Sequence, residues 1–529
     1  MMKLNKQKLL LCLMLLVCMF FASCTLKPNK TQQPLTLQLS AEPSTLNPLL
    51  YTDAASSQVV GLVFSGLLKV STNMQLIPDL AESYQVNKDQ TIYTFKLRDN
   101  LFFHDGHPLS SKDVKFTFDL LLDSKTNTVR RSNYIINGKK VIFKQLDDRH
   151  IQAILPQPFA PFLYHMTMGI LPKHLLENVD INTAAFNRQP IGSGPFKFEQ
   201  WLSAQFVQLK RHERYYADTP KLKEIVLKII PDNNTALVSL EKGEIDTATL
   251  LGKDYQRYQN HPDFNIYRYD DLLYTYLGFN LKNSHFSQLK VRQAVAYAID
   301  KQAIVKGVLK GFGSPAELPA SPVSWAYPDI KTPFYHYDPQ KSMSLLLECG
   351  YQKNQQGYFE KDQKELSFTL ITNKGNKDRE KVAQLLQQFL KNVGIKMDIR
   401  LLEWSSFIKI VNDPSQNKKF DAVILGWSLG LDPDSYNIWH SSQFPKGFNF
   451  IAYNNKQVDQ LLVQGRLQNN KQVRKEIYQK IYRIIGAEIP YIFLYYPETL
   501  TGIQDRVKGL SSASPVGLFN PIENVFITP

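Results

Sequence analysis

Four cysteines are few for 529 residues, and three of them, Cys12, Cys18 and Cys24, fall within the first 24 positions. Cys349 stands alone in the body, so no intramolecular disulfide is available and apolar cores must hold the fold. It closes a helical run at 342–347, which predicts a buried structural thiol and not a nucleophile. Long apolar runs are missing as well. Beyond residue 21 nothing approaches the ~18 consecutive apolar residues of a membrane span, and mean hydropathy is −0.28, so the body is expected to be soluble. Concentrated charge is also absent. The net charge is +14, or +11 without three leader lysines, but the basic residues are scattered and no nucleic-acid module is visible. Nucleic acid is not an expected partner.

Catalytic signatures are equally scarce: the chain has no GxSxG elbow, no GxxxxGK[ST] loop and no HExxH. His104 and His107 stand three apart in a Gly-Pro turn with no third ligand beside them, so a hydrogen-bonded turn is expected and no metal site. Ile191-Gly192-Ser193-Gly194-Pro195 has no lysine and leads into a strand, which fits a tight turn better than a phosphate loop.

What the chain does have starts at its first residues. Lys3, Lys6 and Lys8 precede an unbroken apolar run at 9–21, and Phe21-Ala22-Ser23-Cys24 closes it with small residues before a cysteine. The run is shorter than the roughly 20 residues that span a bilayer, so residues 1–23 read as a cleavable export signal. The closing cysteine resembles that of bacterial lipoprotein signals, which implies acylation of Cys24, although Phe21 departs from the usual leucine. Residues 24–34 are polar and suit a flexible tether. The remaining body exceeds the about 250–300 residues at which single cores stop growing, so two lobes are expected. Apolar (43%) and aromatic (12%) residues are plentiful enough to fill both.

Leu35-Thr36-Leu37-Gln38-Leu39 alternates with period two and predicts a first strand. A helix is predicted at 56–68, a hairpin at 84–97 turning at Asn87-Lys88-Asp89, and a helix over 114–122 opened by Ser110. Strands follow at 141–144, 150–155, 196–210 and 222–230, then a helix at 234–243 and a strand opening at Glu244. The second half predicts helices at 290–309, 378–393, 404–411, 458–468 and 472–485. Its strands are expected at 364–372, 395–401, 420–426 and 491–496. Hairpins among alternating strands and helices argue for an α/β fold with mixed sheets. No repeat or Gly/Ser linker divides the body, so the lobes must share crossing strands.

Four segments in order carry a resemblance. Leu97-Arg98-Asp99-Asn100-Leu101-Phe102-Phe103-His104-Asp105-Gly106 with Asp113-Val114 is similar to the "LR…V.FHDG.P..A.DV" segment of peptide-binding extracytoplasmic solute-binding proteins of ABC transporters, family 5. Pro190 to Phe196 resembles their "P.GTGPF" turn. Asn280 with Val291-Arg292-Gln293-Ala294-Val295-Ala296-Tyr297-Ala298-Ile299-Asp300 matches "N…VRQA.AYAID", and Phe420-Asp421-Ala422 with Gly426-Trp427 and Asp432-Pro433 matches "FD……GW…DP".

The resemblance implies a two-lobed periplasmic-binding-protein fold of type II, in the large peptide-binding subclass. Lobe one would be 35–277 plus 498–529 with an extra subdomain at 61–190, and lobe two 278–497, with crossings near 276–280 and 496–501. It implies a lipid-anchored protein outside the cytoplasm, in the periplasm or on the outer face of the cell membrane. Working as a monomer without a cofactor, it would capture oligopeptides or dipeptides and deliver them to an ABC permease. A nickel chelate, haem, glutathione or a cell-wall peptide is the alternative ligand. An extracytoplasmic hydrolase is the alternative of another class, and the sequence displays no nucleophile–base pair for it.

The same resemblance places residues at the cleft. Gly426, Trp427 and Ser428 lie in the loop after the buried lobe-two strand; Tyr274 and Tyr276 lie before the hinge. Tyr51, Thr52 and Asp53 lie where lobe one touches the peptide, and Trp404 and Tyr134 are weaker candidates. Gly430 replaces an aspartate that in many relatives pairs with the peptide ammonium. Asp432 is the nearest substitute, and Ile424 stands where some relatives carry a basic residue.

Overall fold

The computed structural model describes residues 33–329 and 333–528. The leader, Cys24 and the tether through residue 32 lie outside these residues. Three sheets organise the chain, and each follows from a run of alternating apolar residues. Leu35–Leu39 pairs in parallel with Glu224–Ile229, which continues antiparallel through Phe206–Arg211 to Phe196–Leu202. The predicted strand at 196–210 is thus a hairpin, with a register shift between Phe198 and Gln200. A second, wholly antiparallel sheet runs Ala81–Val86, Ile92–Leu97, His150–Ile154 and Ile142–Gln145. Alternate residues Tyr93, Phe95 and Leu97 turn inward, and the helix Ser111–Leu122 buries Val114, Phe118 and Leu121 against them. Ser110 caps that helix reciprocally with Asp113, satisfying amides that the first turn leaves unpaired.

The third sheet is mixed. Tyr491–Gln504, Leu273–Phe279 and Ala422–Ser428 are antiparallel neighbours, and Ser367–Asn373 runs parallel to both Ala422–Ser428 and Lys396–Leu402. Its two faces are covered separately. Leu277, Ile424 and Leu494 face the helices Leu289–Tyr297 and Lys377–Asn392, while Tyr274, Tyr276 and Phe493 face an aromatic layer with Trp439, Tyr478 and Tyr482. Each fully buried large apolar side chain contributes on the order of 1.5–3 kcal/mol.

Several predicted boundaries move, each for a local reason. The helix expected at 290–309 is two helices, Leu289–Tyr297 and Lys301–Gly307, because the Asp300 carboxylate accepts from the Ala303 amide and restarts the chain. The helix expected at 56–68 stops at Val63, and Leu68–Val70 is already strand. The strand expected at 491–496 runs on to Gln504. Up to Pro497 it pairs with Leu273–Phe279 and Gly313–Pro315; beyond it, with Phe264–Asp270 and Thr247–Thr249. Proline lacks an amide donor, so it sits where the strand changes partners without losing a ladder bond. Cys349 is half-buried at the end of Pro339–Glu348, and burial pushes its thiol up. It caps a helix without being enclosed.

Candidate functional site

The ladder between Leu273–Phe279 and Ala422–Ser428 brings five of the sequence candidates together, opposing Tyr274 to Trp427, Thr275 to Gly426 and Tyr276 to Leu425, with Ser428 against Leu273. Tyr274 and Tyr276 are completely buried (0% exposed), Tyr276 stacking on Tyr491 with ring centroids 3.9 Å apart. They are core of the aromatic layer first, and burial pushes both phenols well above their ordinary value. Among the described residues no well-aligned hydrogen bond reaches their hydroxyls or the indole N–H groups of Trp404 and Trp427, although the Tyr491 hydroxyl stands beside those of Tyr276 and the Trp427 indole. Trp427 is half-buried, edge-on to Phe448 at 5.2 Å. Trp404 opens the helix Trp404–Val411 and packs against apolar clusters of both lobes. Gly430 lies in open space, with nothing nearer than 3.8 Å to the position a Cβ would take.

The residue that sequence reasoning missed is Arg379. Its guanidinium rests on Gly426, 3.0 Å from where a Cβ would stand, so glycine at 426 is what admits it. Nη1 donates to Asn373 Oδ1 at 2.8 Å, and no carboxylate lies within ion-pair distance among the described residues. Burial lowers its pKa. A signal was available: Arg379 occupies the first turn of Lys377–Asn392, where the helix dipole disfavours a cation. Beside it, burial pushes the Asp378 carboxyl up to about 6.

The lobe-one candidates divide into two kinds. Tyr51 is half-buried beneath the Arg130 guanidinium, 4.1 Å above its ring, and Thr52 Oγ1 accepts from Asn412 Nδ2 across the lobes at 3.1 Å. Asp53, in contrast, is spent on capping the helix Ala54–Val63, accepting from the Ser56 amide and hydroxyl. Tyr134 is buried among Phe118 and Phe143 and donates to the His165 carbonyl at 2.8 Å. Neither presents a free polar group to a guest.

The acids near Gly430 are committed as well. Arg474 grips both oxygens of Asp432 at 2.7 and 2.8 Å, and Arg466 Nε donates to Asp434 Oδ2 at 2.8 Å. All four side chains are under a tenth exposed. Asp432 therefore has no oxygen to spare for a ligand ammonium.

Arg466 also reaches across the lobes. Nη2 donates to Asn133 Oδ1 at 3.0 Å and Nη1 to the Ser132 carbonyl at 3.3 Å, while the Arg466 carbonyl accepts from the Ala160 amide. Asn437 Nδ2 donates to Asn133 Oδ1 at 2.9 Å, and the Ser132 hydroxyl donates to Asn437 Oδ1. A cavity of about 430 Å³ beside this contact is lined by Ile135, Phe159, Tyr436, Gln443 and Arg466, drawn from both sides. A second, of about 560 Å³, has Tyr93, Tyr164, Trp325, Asp432 and Arg474 on its walls. Such volumes suit small organic guests.

Residues 75–449 match the bacterial extracellular solute-binding proteins, family 5. The chain belongs to that family. It is 37% identical over 488 residues to the oligopeptide-binding protein AppA of Bacillus subtilis (strain 168), covering 90% of this chain and 89% of that one. The solved structure of AppA in complex with a nonapeptide superposes with a TM-score of 0.90 at 34% identity, over 94% of this chain and 99% of that one. NikZ from Campylobacter jejuni in complex with Ni(L-His) superposes with a TM-score of 0.85 at 33% identity, over 94% and 99%. The fold is thus the two-lobed one of this family, and an extracellular family places the protein outside the cytoplasm. Among the described residues no helix is long and apolar enough to cross a membrane.

In this solute-binding protein the segments that carry the family resemblance act as brackets. His104 Nδ1 accepts from the Gly192 amide at 3.2 Å and Nε2 donates to the Gly194 carbonyl at 3.1 Å, joining the first two motifs. Gly192 and Gly194 are needed because Val63 and Leu62 carbonyls lie 2.0 and 2.7 Å from where their Cβ atoms would stand. Arg292 donates to the carbonyls of Glu488 and Ile489 at the end of Lys471–Glu488. Asp421 accepts from the Asn283 amide group and the Thr369 backbone.

Proposed function

We propose that this chain captures oligopeptides or dipeptides between its lobes and hands them, chemically unaltered, to the membrane subunits of an ABC permease. The observation that carries this reading is Arg379, a half-buried cation beside Gly426 and Trp427 whose one hydrogen-bonded partner among the described residues is an asparagine. A partly desolvated cation favours a guest that brings its own anion, and a peptide carboxylate does so. The indole N–H groups of Trp404 and Trp427 can only donate, which suits peptide carbonyls. No uncommitted acid stands among the sequence candidates for the amine, so the ligand is anchored at its carboxylate end and its amine faces water. AppA, solved with a nonapeptide, supports the peptide assignment.

The division into 35–277 plus 498–529, with 61–190 as a subdomain, and 278–497 belongs to the same reading. So do monomeric action and anchoring through acylated Cys24. Both lobes contribute: Tyr51 and Thr52 from one, Trp404, Gly426, Trp427 and Ser428 from the other, and closure of the clamp is what the permease senses.

Calorimetric titration with peptides of two to nine residues, as free acids and as C-terminal amides, tests the reading, with Ni(L-His) as a parallel ligand. Free-acid peptides are expected to bind. Amidation or Arg379→Ala is expected to weaken them by about 2–5 kcal/mol, roughly 30-fold or more. Binding of Ni(L-His) without any peptide makes the chain a chelate binder, and peptide fragments after incubation make it a hydrolase.

A further inference from the structure

We propose that Asp105, His107 and His174 form a divalent transition-metal site on the first lobe, made by residues that take no part in the cleft described above. His104, the obvious partner of His107 in sequence, turns inward to the 192–194 turn. His107 instead stacks on His174, with ring centroids 3.9 Å apart and planes 21° from parallel. Asp105 Oδ2 serves both rings, 2.7 Å from His174 Nε2 and 3.3 Å from His107 Nδ1. The three donor atoms lie within 4.8 Å of one another. An ion about 2.0–2.2 Å from each ligand allows separations of up to ~4.2 Å, and two of the three already meet that limit. The ring nitrogens of His107 and His174 lie within 4.8 Å of each other, and the exposed His107 ring must swing out of its stack on His174 for both lone pairs to meet one ion.

The donors are held in place from behind. Asp105 Oδ1 accepts from the His107 amide at 3.1 Å, which aims Oδ2 at the two rings. Gly106, at φ 89°, closes the turn, and Phe103 exchanges backbone bonds with Gly106 and His107. His174 sits on the short helix Lys173–Leu176, whose Lys173 amide is pinned to Asp113 Oδ1 at 3.1 Å. Preoriented ligands of this kind raise affinity because little freedom remains to be lost.

Two imidazoles and one carboxylate select the chemistry. They suit Zn²⁺, Ni²⁺ or Cu²⁺ and not the oxygen-seeking Mg²⁺ or Ca²⁺. The His107 side chain is 58% exposed, so water completes the coordination. A bound ion would tie the 102–108 turn to the 173–176 helix and stabilise the first lobe by mass action.

The test is calorimetric titration of the chelator-stripped full chain with Zn²⁺ alone, without histidine or peptide. Thermal melts with and without the ion run alongside. One ion per chain and a raised melting midpoint are expected. His107→Ala, His174→Ala and the nearly isosteric Asp105→Asn should each weaken binding at least tenfold, within the roughly 10–100-fold that even second-sphere losses cost. His150→Gln, which removes a remote imidazole paired with Asp147, should leave it unchanged. No heat in the parent, or equal affinity in parent and all three ligand variants, overturns the proposal. Melts in chelator that match the parent establish that each variant is folded.

Discussion

Two of the places where the lobes meet differ in construction. At one, the backbone itself crosses: Tyr491–Gln504 leaves the aliphatic–aromatic sheet at Pro497 and enters a small cluster of Leu240, Ile245, Leu250, Phe264 and Leu500. At the other, the chain does not cross: Arg466, Asn437 and Gln443 side chains reach Ser132 and Asn133, and one backbone bond joins the Ala160 amide to the Arg466 carbonyl. A continuous strand bends but cannot part, whereas a handful of polar bonds at about 0.5–1.5 kcal/mol each can be exchanged for water. On the proposed clamp reading, the first seam would serve as a hinge and the second as a latch.

The contrast breaks most severely at Arg466, which serves two purposes. It neutralises buried Asp434 within its own lobe and supplies two of the bonds that cross the latch. Arg466→Ala is expected to destabilise the second lobe by about 3–5 kcal/mol, because it leaves Asp434 buried without its partner. Urea unfolding followed by tryptophan fluorescence measures this; a loss below ~1 kcal/mol would mean that water already shields the acid.

Acid separates a third joint from both seams. His104 can bracket Gly192 and Gly194 only as the neutral Nε2–H tautomer, and burial holds its pKa down to about 3. A histidine whose folded pKa lies below its unfolded 6.5 contributes stability that is complete above about pH 6.5 and lost as pH falls toward about 3. His165, also lowered to about 4 by burial, adds to the same trend. Asp378 works the other way, since its raised carboxyl favours the folded state as pH falls through about 6. Urea midpoints at pH 7 and pH 5 should therefore drop more in the parent than in His104→Gln. Equal drops would remove His104 from the acid response.

These joints also show how far the sequence could be read. The alternating run at 35–39, the capped helix behind Ser110 and the apolar strand at 420–426 were legible because their patterns are local. The four family segments were legible too, yet His104, Arg292 and Asp421 hold backbone and do not face a guest. What escaped was pairing at a distance. Nothing near Asp432 in sequence announces Arg474, and nothing near His107 announces His174. Asp53 and Tyr134 stood in plausible places, but capping and core packing had already claimed their polar groups. Arg379 was hidden differently, as an ordinary charge on an amphipathic helix whose position in the first turn was its only oddity.

The mildest perturbation is the sharpest test of hinge against latch. Asn437 bonds both Ser132 and Asn133 across the lobes, and neither of its bonds reaches a charged group. Asn437→Ala should leave urea unfolding within about 0.5 kcal/mol of the parent, as removal of a partly solvated group does. Its effect should appear in the closed state alone. Two lost bonds at about 0.5–1.5 kcal/mol each, partly replaced by water, predict a roughly fivefold weaker ligand, about 1 kcal/mol. Because closure follows encounter, the loss should fall on the dissociation rate and spare association. Stopped-flow fluorescence resolves the two. A variant that slows association while leaving dissociation unchanged would mean that these bonds form before the lobes meet, and the contact would be part of a fixed interface.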